Sequence, residues 1–130
     1  LNAWLRSNDG YVCAGGDCNN LVLDKPNSLS THGLDIVFIS EAQKPSYTEL
    51  QTLIEAGTVC IAHVRHNSHF VLLIGWETSK PDSFLVHDPF FAVDAYPYAN
   101  ISDIISYNMS SPHDPSLHPL PIAFNSCGNA

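Results

Sequence analysis

The sequence lacks any run of about 18 apolar residues, the length that a membrane-spanning helix needs. Its first residues, Leu1 to Arg6, also lack the basic and then apolar layout of a secretory signal peptide. We therefore expect the mature chain to be soluble, with no membrane among its partners.

Basic residues are scarce as well. Five lysine and arginine residues stand against thirteen acidic residues, which gives a net charge of -8, and the basic residues form no cluster. Such a chain repels phosphate backbones and anionic lipids. We therefore expect no nucleic acid among its partners.

The chain has 130 residues, of which 45% are hydrophobic and 14% are charged. This is enough to bury one ordinary core and too little for two. We expect a single domain over residues 1–130, in three parts: a helix end and a cysteine-stapled loop at 1–33, a sheet with helices at 34–109, and a proline-rich tail at 110–130.

The four cysteines are even in number, but only Cys13 and Cys18 have an organised spacing, and Cys60 lies inside an apolar run. The sequence predicts one disulfide, either Cys13–Cys18 or a bond from one of these two to Cys127, with Cys60 as a buried thiol. The sequons at Asn100 and Asn108, together with the cysteines, favour a secreted glycoprotein. A cytosolic protein with incidental sequons is the alternative.

The periodicity of the chain predicts an α+β fold. It opens on a short amphipathic helix at Leu1–Leu5 and continues through a loop to a strand at 34–39. Ser46 and Glu49 form a capping box for a helix at 47–56, which Gly57 closes. Residues 101–105 predict a second short helix.

Three further segments predict strands, at 58–64, 70–76 and 83–88. The first two are apolar at both odd and even positions, as in a strand that is covered on both faces. Residues 66–68 supply the turn between them. Asp88-Pro89 ends the third strand, because proline cannot continue a hydrogen-bonded ladder. We expect the edge of the sheet near this point.

His69 and Asp88 are the candidate catalytic residues. His69 begins a strand after a polar turn and Asp88 ends the next strand of the same sheet, so the carboxylate can orient the imidazole. This is the base-and-orienter half of a nucleophilic triad. The alternative interpretation is a surface histidine at a hairpin turn and an aspartate that caps a bend.

A family resemblance adds to this interpretation. The segments Gly57 to Arg65, Ser68 to Trp76 and Phe84 to Pro89, in which a histidine precedes an apolar strand ending in Gly-Trp and a later strand ends in Asp-Pro, resemble the C-terminal half of bacteriocin-processing-type peptidases. The opening Leu-Asn-Ala-Trp-Leu also resembles this family of papain-like cysteine peptidases.

The resemblance implies a papain-like antiparallel sheet with flanking helices that lacks the N-terminal nucleophile helix. It makes His69 the general base and Asp88 its orienting partner. Neither Cys13 nor Cys18 matches the family's nucleophile, which opens a helix before the segment that begins at Leu1. This chain alone is therefore not expected to be catalytic.

Two sources of the nucleophile are open. One is an N-terminal chain cleaved from the same precursor. The other is Cys127 of a neighbouring copy, since Cys127-Gly128-Asn129 resembles the start of such a helix and could approach His69 in trans.

A metal site is a further alternative. A four-residue hairpin loop centred on His66 would place His63 and His69 opposite one another on one face, where Asp88 or His87 could join them. A hydrogen-bonded histidine at a hairpin end is the commoner arrangement. We expect no metal and no cofactor.

Aromatic residues at the strand ends favour core packing as their default role. Among them, Tyr96 and Tyr98 are the better candidates for a peptide or sugar groove, because Pro97 keeps the segment extended and exposed.

Two functions follow from the sequence. The first is a cysteine-peptidase-like domain that acts on a peptide substrate once a nucleophile is supplied. The second is a secreted, self-assembling structural or binding protein that keeps the peptidase scaffold without its activity, since fold does not fix function.

Overall fold

The computed structural model describes residues 2–32 and 35–110. The tail predicted at 110–130 lies outside these ranges beyond Ser110, and Cys127 lies outside them too. Within them, the fold consists of the following helices and strands: α1 (Asn2–Ser7), β1 (Tyr11–Ala14), β2 (Asp17–Leu21), β3 (Asp35–Gln43), α2 (Tyr47–Glu55), β4 (Val59–Val64), β5 (His69–Gly75), β6 (Ser83–His87), β7 (Ala95–Pro97) and β8 (Asp103–Ser110).

Six of the strands form one mostly antiparallel sheet in the order β3-β8-β4-β5-β6-β7, and β1 pairs with β2 in a separate hairpin. Two 3₁₀ helices, Lys25–His32 and Tyr98–Asn100, complete the described fold. The predicted α+β class is confirmed. None of the helices in the described ranges is long and apolar enough to cross a membrane.

Helix α2 forms where the capping box predicts it. The Ser46 side chain accepts a hydrogen bond from the backbone N–H of Glu49, and the Glu49 carboxylate accepts one from the backbone N–H of Ser46. These two bonds satisfy backbone donors that a helix start leaves without partners. Gly57, with φ of 83°, follows the last turn as expected.

The core lies between α2 and one face of the large sheet. Leu50 and Ile54 of the helix are buried against alternate residues of the strands, and the core residues of the sheet are Cys60, Ala62, Val64, Val71, Leu73, Phe84, Val86 and Ile104. The predicted coverage of both faces is wrong, because β4 alternates between buried and half-buried residues. One face of β4 packs in the core, and the other remains partly open to solvent.

The structure corrects the predicted helix at 101–105. This segment leads into β8, which lies inside the sheet between β3 and β4. Ile104 and Ile105 are both buried there, one on each face of the strand. The two isoleucines fit a pleated strand that is covered on both sides better than they fit a helix.

The predicted N-terminal loop is a hairpin instead. Gly15 and Gly16, with φ of 61° and 91°, make the turn between β1 and β2, and the disulfide Cys13–Cys18 bridges the two strands. A glycine pair between two short strands is a hairpin signal. The structure thus selects one of the disulfide pairings that the sequence left open, and it buries Cys60 as a free thiol, as predicted.

Candidate functional site

The antiparallel pairing of β5 and β6 brings His69 and Asp88 to the same end of the sheet. His69 is the first residue of β5, and Asp88 follows the last residue of β6, whose His87 pairs with Leu72. Both side chains lie on the face that carries the core, since His69 alternates with Val71 and Asp88 with Val86 along their strands. The predicted proximity of the two residues is present.

The two side chains are hydrogen-bonded. Nε2 of His69 lies 2.8 Å from Oδ1 of Asp88. The Asp88 side chain is fully buried, whereas 15% of the His69 side chain is exposed. An ionised carboxylate can only accept, so Nε2 carries the proton of this bond. In the neutral imidazole, Nδ1 then holds the lone pair and can act as a base.

Asp88 accepts more hydrogen bonds than the one from His69. Oδ1 also accepts from the backbone N–H groups of Phe90 and Phe91, at 2.9 and 2.8 Å, and Oδ2 accepts from the Tyr96 hydroxyl at 2.9 Å. Burial by itself raises the pKa of Asp88, but the donors from Phe91, Phe90, His69 and Tyr96 outweigh it and hold the pKa well below its ordinary value. The carboxylate therefore remains ionised in a buried position.

Tyr96 connects Asp88 to Arg65. Nε of Arg65 donates a 2.9 Å hydrogen bond to the Tyr96 hydroxyl, which in turn donates to Asp88. The prediction that Tyr96 is exposed in a groove is wrong, because only 6% of the residue is accessible; Tyr98 is half-buried. Tyr96 instead forms part of the support for the His69–Asp88 pair.

The turn before His69 adopts an unusual backbone. Arg65, His66 and Asn67 all have positive φ, at 53°, 55° and 62°. This is the left-handed region, which residues with a side chain occupy infrequently. The turn places the Arg65 guanidinium 3.8 Å from the ring centroid of Phe91, and the ring of His69 packs edge-on against the same phenyl group at 5.1 Å.

The register of β4 and β5 removes the predicted two-histidine pair. His63 pairs with Phe70, and His69 pairs with Val64, so the two histidines lie on opposite faces of the sheet. The predicted arrangement of His63 and His69 on one face is therefore wrong. Among the described residues, no three metal-ligating side chains converge on one point.

His63 has its own neighbours on the second face. Its Nδ1 lies 3.1 Å from Oδ1 of Asp103, and its ring stacks on that of Phe70 at 4.0 Å. Despite this distance, the buried Asp103 oxygen has no hydrogen-bond partner in the described part of the chain. His63 thus belongs to a contact that is separate from the His69–Asp88 pair.

The described ranges bring no reactive thiol to His69. Cys13 and Cys18 are joined in the disulfide. Cys60 is fully buried in the core, where burial outweighs the opposing hydrogen bond with Ser106 and raises the pKa of its thiol to about 11. The candidate nucleophile Cys127 lies outside the described residues, as does any pairing that it makes.

The two sequon asparagines, Asn100 and Asn108, are both exposed.

Sequence reasoning found His69 and Asp88 but missed Arg65 as part of the site. Tyr96 was singled out for a different role. The hydrogen-bonded Arg65 and Tyr96 are separated by 31 in sequence number, whereas Tyr96 follows Asp88 by eight. The only local signal was the position of Arg65 at the start of the turn that leads to His69.

Comparison with known proteins does not assign the chain to a family. No family model, no curated protein and no solved structure matches it.

Proposed function

We propose that this chain is part of a papain-like cysteine-peptidase domain. It supplies the histidine and the aspartate of a Cys-His-Asp site. The observation that carries the proposal is the 2.8 Å hydrogen bond between Nε2 of His69 and the buried carboxylate of Asp88. This bond fixes the imidazole with Nδ1 as the nitrogen available to a substrate or a nucleophile.

In the proposed reaction, Nδ1 of His69 accepts the proton of a cysteine thiol. The resulting thiolate forms a bond to the carbonyl carbon of a peptide, and the carbon–nitrogen bond breaks as the imidazolium returns its proton to the leaving amine. Water then hydrolyses the thioester with His69 again as the base. Asp88 stabilises the imidazolium throughout and stays ionised.

The surroundings of the pair support this role. A catalytic base must be held in one orientation by groups that are themselves held in place. Asp88 meets this requirement through two backbone donors and Tyr96, and Tyr96 is itself bonded to Arg65. An aspartate that only caps a bend would also accept from Phe90 and Phe91, so the bonds from Tyr96 and from Arg65 are the ones that favour a catalytic role.

The nucleophile in this proposal comes from a segment other than the described residues. The two candidates are a cysteine of another segment or chain and Cys127 of a neighbouring copy. The disulfide and the exposed sequon asparagines support secretion, where both kinds of assembly can persist.

A second function, self-assembly without catalysis, is favoured by one observation. Strand β3 lies at an edge of the sheet, and Val37 and Ile39 on it are each 48% exposed. The Phe38 N–H at this edge already donates to Asn27, but the exposed apolar side chains are a surface on which a further copy can pack. In this proposal the chain is a secreted structural or binding protein on a peptidase-like scaffold.

Thiol labelling distinguishes the two functions. The protein and its variants are expressed in the native source, isolated together with any chain that co-purifies, and treated with an epoxide reagent that alkylates peptidase cysteines. The peptidase proposal requires one cysteine to react faster than a free thiol, and the reaction to slow by at least about tenfold in His69→Gln.

His66→Gln is the matched control, because His66 is an exposed histidine of the same turn. It should leave the labelling rate unchanged. If no cysteine reacts in a His69-dependent way, and the chain sediments as a large assembly, the self-assembly proposal is correct and the peptidase proposal is wrong.

A further inference from the structure

Three side chains surround the ring of Phe91 at the exposed edge of the site. The Arg65 guanidinium lies 3.8 Å from the ring centroid, the ring of Phe90 lies 4.9 Å away and the ring of His69 lies 5.1 Å away. A cation, an exposed phenyl group and the proposed base are therefore neighbours of one aromatic ring.

Arg65 is held in place but has no acidic partner in the part of the chain that the structure describes. Its Nε is bonded to Tyr96, and its guanidinium stacks on Phe91. The ion pairs of the described residues involve His63, His69 and Lys80, and none of them includes Arg65. An arginine fixed through Nε keeps its two terminal nitrogens for a planar anion, which they bind as a fork.

Phe90 provides an apolar surface beside this cation. It is 80% exposed, and Phe91 is 37% exposed. The backbone N–H groups of both residues are bonded to Asp88, so the two rings are presented from a fixed turn. Exposed aromatic rings on a rigid turn can contact an apolar side chain at a small cost in conformational entropy.

Arg65 is an exposed cation at this surface, whereas the ionised side chain of Asp88 near it is fully buried. The net charge of -8 would attract basic peptides, whereas Arg65 places a positive charge directly beside the site. We propose that Arg65, Phe90 and Phe91 form the substrate subsite next to His69, and that it binds a peptide segment in which an acidic residue adjoins an apolar residue.

This inference rests on the proposed peptidase function, because the bound peptide is a substrate only if the site is catalytic. In it, the carboxylate of the peptide pairs with the terminal nitrogens of Arg65 and the apolar side chain packs on Phe90. The contacts place the peptide beside the ring of His69. A basic residue at the same position of the peptide faces the like charge of Arg65 and binds more weakly.

The test is an NMR titration of the full chain with three capped pentapeptides. Each has one leucine, and the neighbouring residue is glutamate, glutamine or lysine. The glutamate peptide should shift the signals of Phe90, Phe91 and His69, and should bind about tenfold more tightly than the glutamine peptide, with lysine weakest. The preference should fall as salt is added.

Matched variants identify the responsible side chain. Arg65→Gln should remove the preference for glutamate, and Phe90→Ala should weaken all three peptides without changing their order. Arg6→Gln is the control, since Arg6 also lies over an aromatic ring, that of Tyr11, away from the site. It should bind the peptides as the unchanged chain does.

Equal binding of the three peptides, a preference for lysine, or an unchanged preference in Arg65→Gln would each overturn the inference. The outcome is separate from the thiol test. If the glutamate peptide binds as expected but no cysteine reacts in a His69-dependent way, the surface is a peptide-binding site and the peptidase proposal fails.

Discussion

The hydroxyl of Tyr96 donates a 2.9 Å hydrogen bond to Oδ2 of Asp88, the carboxylate oxygen that His69 does not use. The two oxygens of one buried carboxylate thus have different donors. One oxygen serves the imidazole and the backbone of the following turn, and the other is held by a tyrosine that is itself bonded to Arg65.

Tyr96→Phe removes the only donor to Oδ2 among the described residues while it keeps the buried ring. Because a buried carboxylate loses a hydrogen bond that favours its ionised form, the pKa of Asp88 should rise. The measurement is the titration of the Asp88 carboxyl carbon by NMR. Tyr98→Phe is the control, since the Tyr98 hydroxyl donates to the Pro45 carbonyl instead. A similar titration of Asp88 in the two variants would contradict the role given to Tyr96.

Asp88 should make the fold sensitive to acid. Its pKa in the folded chain lies below the ordinary value of 3.8, so the unfolded chain binds the proton more readily. The stability that ionised Asp88 contributes is therefore fully present above the unfolded pKa, and it is lost as the pH falls through the folded pKa. Urea unfolding measured from about pH 7 to about pH 2 should show this loss.

Asp88→Asn should lower stability near neutral pH, because the new amide brings donors to a place where four donors already converge. The same variant should lose less stability on acidification than the unchanged chain. Asp9→Asn alters an exposed carboxylate and should leave the acid response as it was. An equal response in all three proteins would show that Asp88 does not control it.

The buried thiol of Cys60 should be unreactive in the folded chain. Its pKa of about 11 leaves about one part in a thousand as thiolate at pH 8, and the side chain is fully buried. Alkylation followed by mass spectrometry should modify Cys60 rapidly in denaturant and very slowly without it. Fast alkylation of the native chain at this residue would show that the core opens more readily than its packing indicates.

The capping box at the start of α2 offers a measure of local stability. Ser46→Ala removes the acceptor of the Glu49 N–H bond and should lower the free energy of unfolding by about 1 kcal/mol. Thr52→Ala, in the exposed part of the same helix, should change it by about 0.5 kcal/mol or less. Urea unfolding of both variants provides the comparison, and a larger loss in Thr52→Ala would argue against the cap.

Features set by neighbouring residues were predictable from the sequence. The capping box of Ser46 and Glu49 satisfies its own backbone groups, so its pattern was enough to predict helix α2. The pairing of His69 with Asp88 followed from a strand start and a strand end in adjacent antiparallel strands. Both predictions needed only short stretches of the chain.

Features set by distant contacts were not predictable in this way. Ile104 and Ile105 suit a helix or a strand, and the position of β8 between two strands from earlier in the chain decides between them. The faces of His63 and His69 are a different case, since the loop at 65–68 has the predicted four residues. A loop of that length pairs Val64 with His69 and puts the two histidines on opposite faces, and the predicted arrangement would need five residues. The bond from Arg65 to Tyr96 has no sequence pattern, because it forms only when β7 joins the sheet.

The position of β8 has a consequence for synthesis on the ribosome. Strand β3 pairs only with β8 in the described sheet, and β4 reaches β3 only through β8. During translation, β3 must therefore remain without a strand partner until almost all of the described chain has emerged. Over that interval Val37 and Ile39 of the unpaired β3 segment are available to chaperones or to other nascent chains. Slowing translation after β6 should therefore promote aggregation rather than folding.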